Sequence, residues 1–566
     1  MCYNITKYLN IILEGVSMSI HIKILSSLEK CFMDESLESK KSISNISCLR
    51  GEDIHFTLAY TSDKDCGWLL CEYATLFCES GLDVSFERIE HLPVRFPCYP
   101  SRNDDGYLRK KPGMYPDLLI PMEPGESVQV PAKLLFTIYG TVRVPECTHA
   151  GDYKISVGFV SEAGEKITED ITVSVMNAVM PAQEISVSQW VHYDCIADAH
   201  ELEIFSEEHW GAIENYLRTA VEHGINTILT PVFTPPLDTE VGGERPTVQL
   251  VDVKKNANGY VFGFEKFRRF VALCTSIGVK RIEISHLFTQ WGAYHAPKIM
   301  AYENGEYKRI FGWDTDAASD EYIGFLRAFI TELLEEAKKL GISDKLLFHI
   351  SDEPNKDQLE QYLLVKSKIA DLLRDYPIYD ALSDFDFYER GAVDNPIPAS
   401  DHIEPFLDAG IEGLWTYYCC GQWKNVSNRF LDMPLSRTRV IGAQMWKYKI
   451  AGFLQWGYNF YYTRFSKRHI NPYVITDADA FAPAGDAYSV YPAPSNKPYR
   501  SLRLVAFKEA LDDMRALSLA EKLCGREAVQ AVVDSEGYIT FASYPKGEEY
   551  ILSMREKINR MINDNI

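Results

Sequence analysis

Asp352 and Glu353 stand side by side in the stretch FHISDEPN, where an apolar run ends and Pro354 follows at once. Neighbouring carboxylates repel, so each must be solvated or paired. Ionisation of one disfavours ionisation of the other, which lifts one pKa toward the range useful for a general acid near neutral pH. Hydrolysis of a glycosidic bond commonly uses two carboxyl groups on opposite sides of a sugar ring, about 5 Å or more apart. Two residues of one turn are badly placed for that. They suit the substrate-assisted variant, in which the 2-acetamido group of a hexosamine is itself the nucleophile and forms an oxazoline. One acid then protonates the leaving oxygen while its neighbour orients the acetamide N–H, and residue order does not assign the two roles. The same residues also fit an acidic helix start, because acids favour a first turn and proline its first position.

The elements that must position the pair are legible as a pattern. From about residue 186 short apolar strands alternate with amphipathic helices, which predicts a parallel α/β architecture. Strands are expected at 186–193, 225–231, 280–286, 346–351, 377–382, 412–418, 452–457 and 488–492, the number that closes a (β/α)8 TIM-like barrel. Asp352 and Glu353 then lie at the C-terminal end of the fourth strand, the end where such barrels carry their sites. The helix at 320–340 has Ile323, Leu326, Ile330, Leu333, Ala337 and Leu340 at spacings of three or four, with Ser319 to cap it and Gly341 to end it. Residues 18–183 instead alternate apolar and polar positions between Gly, Pro and Asp turns, as in EDITVSVMN, which predicts an N-terminal β-sandwich. A helix at about 501–515 closes the barrel domain, 184–520, and leaves 521–566 as a small C-terminal appendage.

Other predicted strand ends carry residues suited to holding a sugar: Trp190 and His192 on the first, His286 and Trp291 on the third, Trp415 and Tyr417 on the sixth, and Trp456, Asn459 and Tyr461 on the seventh. Each alone is more often a packing residue, but together they describe a pocket of mixed rings and polar groups. Composition narrows the partner. The chain has 566 residues and a net charge of -22, which disfavours nucleic acid and anionic lipid, and no stretch has the apolar length to span a bilayer. Its 13 cysteines are scattered, apart from the neighbours Cys419 and Cys420, without metal spacing, which favours a reduced compartment. No phosphate loop or dinucleotide fingerprint is present, so neither cofactor nor metal is expected. The first residues lack a basic segment followed by a clean apolar run, so a cytoplasmic protein is expected, with Met18 as an alternative start.

FHISDEP, GLWTYYCC, RTRVIGAQMWKYKIAGFLQWGYNFYY and YRSLRLVAFKEALDDM together resemble the catalytic domain of glycoside hydrolase family 123 and the related domain of unknown function 4091, over roughly residues 186–520. The resemblance implies a β-N-acetylgalactosaminidase of retaining, substrate-assisted mechanism, preceded by a β-sandwich. Carried onto this chain, it makes Asp352 the residue that polarises the acetamide and Glu353 the general acid/base. Two alternatives stand beside it. One is a glycosidase for sugars lacking the acetamide, with a distant carboxylate such as Asp194 or Asp384 as nucleophile. The other is a glycan-binding protein without turnover.

Overall fold

In the strand Lys166–Val179, Ile171, Val173 and Val175 are buried while Thr172 and Ser174 lie half-buried on the opposite face, as the period of two requires. This strand runs antiparallel to Gly151–Ser161 and parallel to Asn45–Arg50. With Cys71–Ser80 and Ser127–Pro131 they make one five-stranded sheet. A second is ordered Ile20–Ser26, Glu52–Ser62, Phe136–Val144, Asp83–Val94, Gly113–Pro121. Ile22, Phe56, Leu58 and Val142 of one sheet share an apolar core with Val157, Phe159 and Val173 of the other. These facts come from a computed structural model, which describes residues 20–63, 71–123, 125–161 and 164–566. The alternative start at Met18 falls outside the described residues.

The chain forms two compact units. The first comprises residues up to His91, Leu118–Met180 and the terminal Arg555–Ile566. Within it Arg555 donates to Glu52 at 2.6 Å and Asn559 to the Ser47 carbonyl at 3.1 Å. The second comprises Leu92–Asp117 and Pro181–Met554. The expected C-terminal appendage, 521–566, is therefore divided between the two units, because its helices bury apolar residues such as Val529, Val533 and Ile558 rather than standing alone.

In the second unit a six-stranded parallel sheet runs in the order Leu346–Leu347, Arg281–Ile284, Thr227–Thr230, Ser186–Gln189, Gly452–Gln455, Trp415–Tyr417. Tyr379–Ala381 and Asn395–Ile397 form a further parallel pair. Single parallel bridges, Phe348 to Ile378 and Ala399 to Tyr417, link that pair to both ends of the sheet, so the pairing runs in a cycle. Helices Glu207–Glu222, Glu265–Ser276, Asp320–Leu340 and Leu359–Ser367 lie between successive strands in the chain. The third starts at Ser319, whose side chain accepts from the Tyr322 amide, and ends at Gly341 in the left-handed region. Gly452 permits one close approach: a Cβ there would lie 2.0 Å from the Trp415 ring.

Two strand expectations need correction. Residues 488–492 are not in the cycle; Val490–Pro492 forms an antiparallel hairpin with Pro498–Arg500. The vacant place belongs to Asn395–Ile397, whose three residues and central Pro396 give no periodicity to read. The fourth strand stops at Leu347 rather than 351, with Phe348 making only a bridge. The loops after the second and third strands also build a four-stranded sheet from two hairpins, Asp252–Asn256 with Gly259–Gly263 and Ile299–Glu303 with Glu306–Phe311. Asn304-Gly305 is the turn dipeptide of the second hairpin, while the first turns at Ala257-Asn258 and Gly259 opens its return strand. Among the described residues no helix is long and apolar enough to cross a membrane.

Candidate active site

Beyond Phe348 the chain leaves the ladder and is pinned from both sides. The Ile350 amide donates to Asp380 at 2.9 Å, and Ser351 Oγ to the Thr289 carbonyl at 2.9 Å. The Trp291 amide donates to the Asp352 carbonyl at 2.9 Å, and the Glu353 amide to the Ala381 carbonyl at 3.0 Å. The acid pair is thus held by residues following the third strand and on the fifth. The helix begins later: Asn355 is its N-cap in a capping box with Gln358, so Asp352 and Glu353 precede the first turn. An acidic helix start does not explain them.

Glu353 has φ 44°, the left-handed region that a residue with a Cβ avoids at a cost of about 1 kcal/mol. Asp238 (44°), Trp291 (58°), Phe465 (62°) and Ser466 (53°) share that conformation and are tied together. The Asp238 amide donates to Gln290 Oε1 at 2.7 Å, Ser466 Oγ donates to the Asp238 carbonyl at 2.8 Å, and the Trp291 and Phe465 rings meet edge to face at 5.8 Å. Strained backbone held in place by several neighbours is concentrated at functional sites.

Tyr417 Oη donates to Glu353 Oε1 at 2.7 Å. Both line an open cleft of about 420 Å3 with Pro354, Ser383, Asp384 and His402. Among the described residues no side chain or backbone N–H donates to the Asp352 carboxylate. Partial desolvation lifts both acids, Asp352 half-buried and Glu353 exposed to the cleft; for Asp352 the nearby Glu353 and Asp238 add to it, while for Glu353 the Tyr417 hydroxyl pulls the other way. Asp238 is raised to about 7, first by burial and then by Glu353. Three carboxyl groups therefore share one electrostatic environment.

Beneath them lies a buried ion network. His349 Nε2 is 2.7 Å from Glu283 Oε1 and its Nδ1 3.5 Å from Asp380 Oδ1. Burial pulls this imidazole down, but Asp380 and Glu283 together outweigh it and raise it to about 10. The resulting imidazolium opposes the rise of Asp352. His286, His349 and Asp380 bring potential ligand atoms close together. The two rings, however, stack 4.5 Å apart at 18°, so their in-plane lone pairs run side by side and do not converge on one ion.

The expected sugar-holding residues separate into two sets. Tyr417 reaches the acid pair, and Trp291, half-buried, is bonded to it through the backbone. The others are occupied elsewhere. Trp190 is buried, donating from its indole to Glu283 and packing edge-on against His286. His286 is buried between the Trp190 and His349 rings, and among the described residues neither of its ring nitrogens has a hydrogen-bond partner. Trp415 packs on Tyr379 at 4.5 Å. Asn459 is a clip, accepting from the His192 amide and donating to the His192 carbonyl, and Tyr461 donates to the Val490 carbonyl. Trp456 donates to Asp486. His192 is held between the Trp456 carbonyl and Arg245, and burial followed by the Arg245 charge lowers it to about 3. Asp194 makes two bonds to Arg245, 2.6 and 2.9 Å, and accepts a third from Tyr462. An Asp194 so engaged is a structural anion. Asp194→Ala leaves Arg245 unpaired and is expected to destabilise the protein by about 3–5 kcal/mol in urea unfolding; an unchanged midpoint would refute that placement. Asp384, named above as a candidate nucleophile, lines the cleft with Glu353, as does His402, and Asp238 lies near enough to feel the Glu353 charge; no local pattern singles out Asp238 or His402.

The family model "Glycoside hydrolase 123, catalytic domain" matches residues 190–520. The structure is similar to that of a family 123 glycoside hydrolase from Clostridium perfringens, solved in a study of glycolipid glycan hydrolysis, with TM-score 0.72, 16% identity, and coverage of 96% of this chain and 98% of that one. At that identity the likeness is one of mixed α/β fold. A Bacteroides ovatus GH5 xyloglucanase in complex with a XXXG heptasaccharide overlaps at TM-score 0.32 and 9% identity over 87% of this chain and all of that one, too slight a likeness to argue from. No curated protein matches the sequence. The family match spans more than half of the chain, which carries the conclusion: this protein belongs to glycoside hydrolase family 123 and is a glycoside hydrolase.

Proposed function

We propose that the protein is a retaining β-N-acetylhexosaminidase, with N-acetylgalactosamine as its expected sugar, that works through an oxazoline formed by the substrate. The proposal includes the architecture: a (β/α)8 barrel carrying the site, after an N-terminal β-sandwich. The observation that carries it is the pairing of Glu353, hydrogen-bonded by Tyr417 in an open cleft, with an adjacent Asp352 whose carboxylate has no assigned donor. Neighbours in one pinned turn cannot flank a sugar ring, but they can face the leaving oxygen and the 2-acetamido group on one side of it.

Both acids are raised, Asp352 by burial and then by Glu353 and Glu353 by burial, so the pair disfavours losing both protons. A bound acetamide N–H that donates to Asp352 favours its ionised form, so the proton settles on Glu353. Glu353 then protonates the leaving oxygen as the acetamide carbonyl oxygen attacks the anomeric carbon and the glycosidic bond breaks. Asp352 holds the N–H and balances the positive charge of the oxazolinium. Glu353, now ionised, takes a proton from the water that opens the ring, giving product of retained configuration. Trp291 and Tyr417 supply ring faces for the sugar.

The direct test is a panel of aryl glycosides with and without the 2-acetamido group, together with a thiazoline analogue of the oxazoline. Turnover confined to acetamido sugars and inhibition by the thiazoline are expected. Equal turnover of both sugar types without inhibition would overturn the reading. It would favour a protein nucleophile, for which Asp384 is the carboxylate sharing the cleft with Glu353.

Tyr417 gives a sharper test. Its hydroxyl stabilises ionised Glu353, and the acid step needs Glu353 protonated, so the alkaline limb of kcat/KM reports this carboxyl. Tyr417→Phe removes the hydrogen bond, raises the Glu353 pKa and moves the alkaline limb to higher pH. A limb that stays in place or moves down would remove Tyr417 from this role.

A further inference from the structure

Two residues beyond Tyr417 the chain places Cys419 and Cys420, both free and half-buried. Most of the other described cysteines, Cys31, Cys48, Cys98, Cys195 and Cys274, are buried singly. The backbone around this pair is clamped. The Cys419 amide donates to Gln422 Oε1 at 2.9 Å, its carbonyl accepts from Asn428 Nδ2 at 2.8 Å, and its sulfur accepts from the Gly421 amide at 3.4 Å. The strand ends at Tyr417 and the chain turns at Cys420, so the pair lies outside the alternation that would send neighbouring side chains to opposite faces of a sheet. Tyr417, which lines the cleft and bonds Glu353, lies only two residues before the pair.

We infer that Cys419 and Cys420 form a modification site: a hydroperoxide closes them to a vicinal disulfide, and this closure switches off the neighbouring acid pair. The chemistry balances with the oxidant as the only added reagent. One thiol gives up its proton as its sulfur attacks the peroxide, the O–O bond breaks, and the departing oxygen takes a proton and leaves as water or an alcohol, giving a sulfenic acid. The second thiol displaces hydroxide, taken up as water, and the S–S bond forms. Overall two S–H bonds are lost, the sulfurs give two electrons, and the peroxide is reduced.

Neighbouring Cα atoms across a trans peptide are about 3.8 Å apart, short of the usual disulfide range of about 4.4 Å and more. The bond is therefore strained and readily reduced, the property of labile regulatory disulfides. Closing the ring changes the torsions of a peptide whose amide and carbonyl are both hydrogen-bonded, and pulls on the strand Trp415–Tyr417 that precedes it. The Tyr417 hydroxyl shifts on Glu353, and a misplacement of about 1 Å in such a site costs on the order of 10²-fold in rate. The loss of activity rests on the role proposed above for Glu353; formation of the disulfide does not.

The experiment treats the full-length protein with hydrogen peroxide, then digests it with trypsin after blocking free thiols with iodoacetamide. Residues 391–424 form one tryptic peptide holding Cys419 and Cys420 and no other cysteine. The expected result is that this peptide loses two hydrogens and takes no alkyl group. Turnover of whichever aryl glycoside the wild type accepts falls by an order of magnitude or more, and dithiothreitol restores both. Cys420→Ser and, separately, Cys419→Ser are expected to keep the untreated rate and to resist peroxide. Full alkylation of both cysteines after treatment would overturn the inference. So would a disulfide without loss of turnover, or loss of turnover that persists in both serine variants. The mass of the peptide is read without substrate, so failure here is distinguishable from failure of the proposed reaction.

Discussion

Glu353→Gln is expected to lower kcat/KM for an N-acetyl-β-galactosaminide with an alkyl or sugar leaving group by about 10² to 10⁴-fold, or roughly 3–5 kcal/mol of transition-state stabilisation. The glutamine keeps the volume and can still accept from Tyr417, so the 2.7 Å contact and the turn survive. What disappears is the proton. The loss should therefore depend on the leaving group: small for a nitrophenolate, which departs without protonation, and largest for an alkyl or sugar alcohol, which needs it. A fall of the same size for every leaving group would point to damaged folding rather than a lost acid. Full activity of the variant would remove Glu353 from the reaction.

Asp352→Asn is expected to reduce kcat by about 10² to 10³-fold, the range for removing one preorganised group aimed at a developing charge. Asparagine can still accept from an acetamide N–H, but it cannot balance an oxazolinium. Affinity for the thiazoline should fall with the rate, while a sugar lacking the acetamide should be turned over no more slowly than by the wild type. A variant with normal kcat would leave no place for substrate assistance by Asp352.

The acid pair is readable without coordinates because its chemistry is local: adjacency, a following proline and an apolar run before it all lie within eight residues. The Asp320–Leu340 helix is readable for the same reason, since its cap, its stripe and its terminal glycine are each a few residues apart. The strand Asn395–Ile397 is not, because three residues with a central proline have no period, and only the neighbouring strands define it. The hairpin dipeptide Asn304-Gly305 was a usable signal for the inserted sheet.

The aromatic and polar residues at strand ends mark the limit. Trp190, His192, Trp415, Asn459 and Tyr461 have the same residue types and strand-end positions as Tyr417, yet their polar atoms or rings are taken by partners within the protein. A side chain's neighbours depend on the twist and closure of the whole sheet, and a one-residue difference at a strand end changes which way it points.

By itself, then, the sequence determined what is short-range: the alternation of strands and helices in the second unit, the β character of the first, and an Asp-Glu neighbour pair matching one glycosidase chemistry. Tertiary structure decided which groups meet. It brought Tyr417 from a strand far along the chain onto Glu353, set Asp238 near both acids, placed Glu283 and Asp380 on either side of His349, and consumed Asp194 in an ion pair with Arg245. Each of these contacts joins residues distant in sequence, and a contact between distant residues is fixed by the path of the chain around the sheet, which no local pattern encodes.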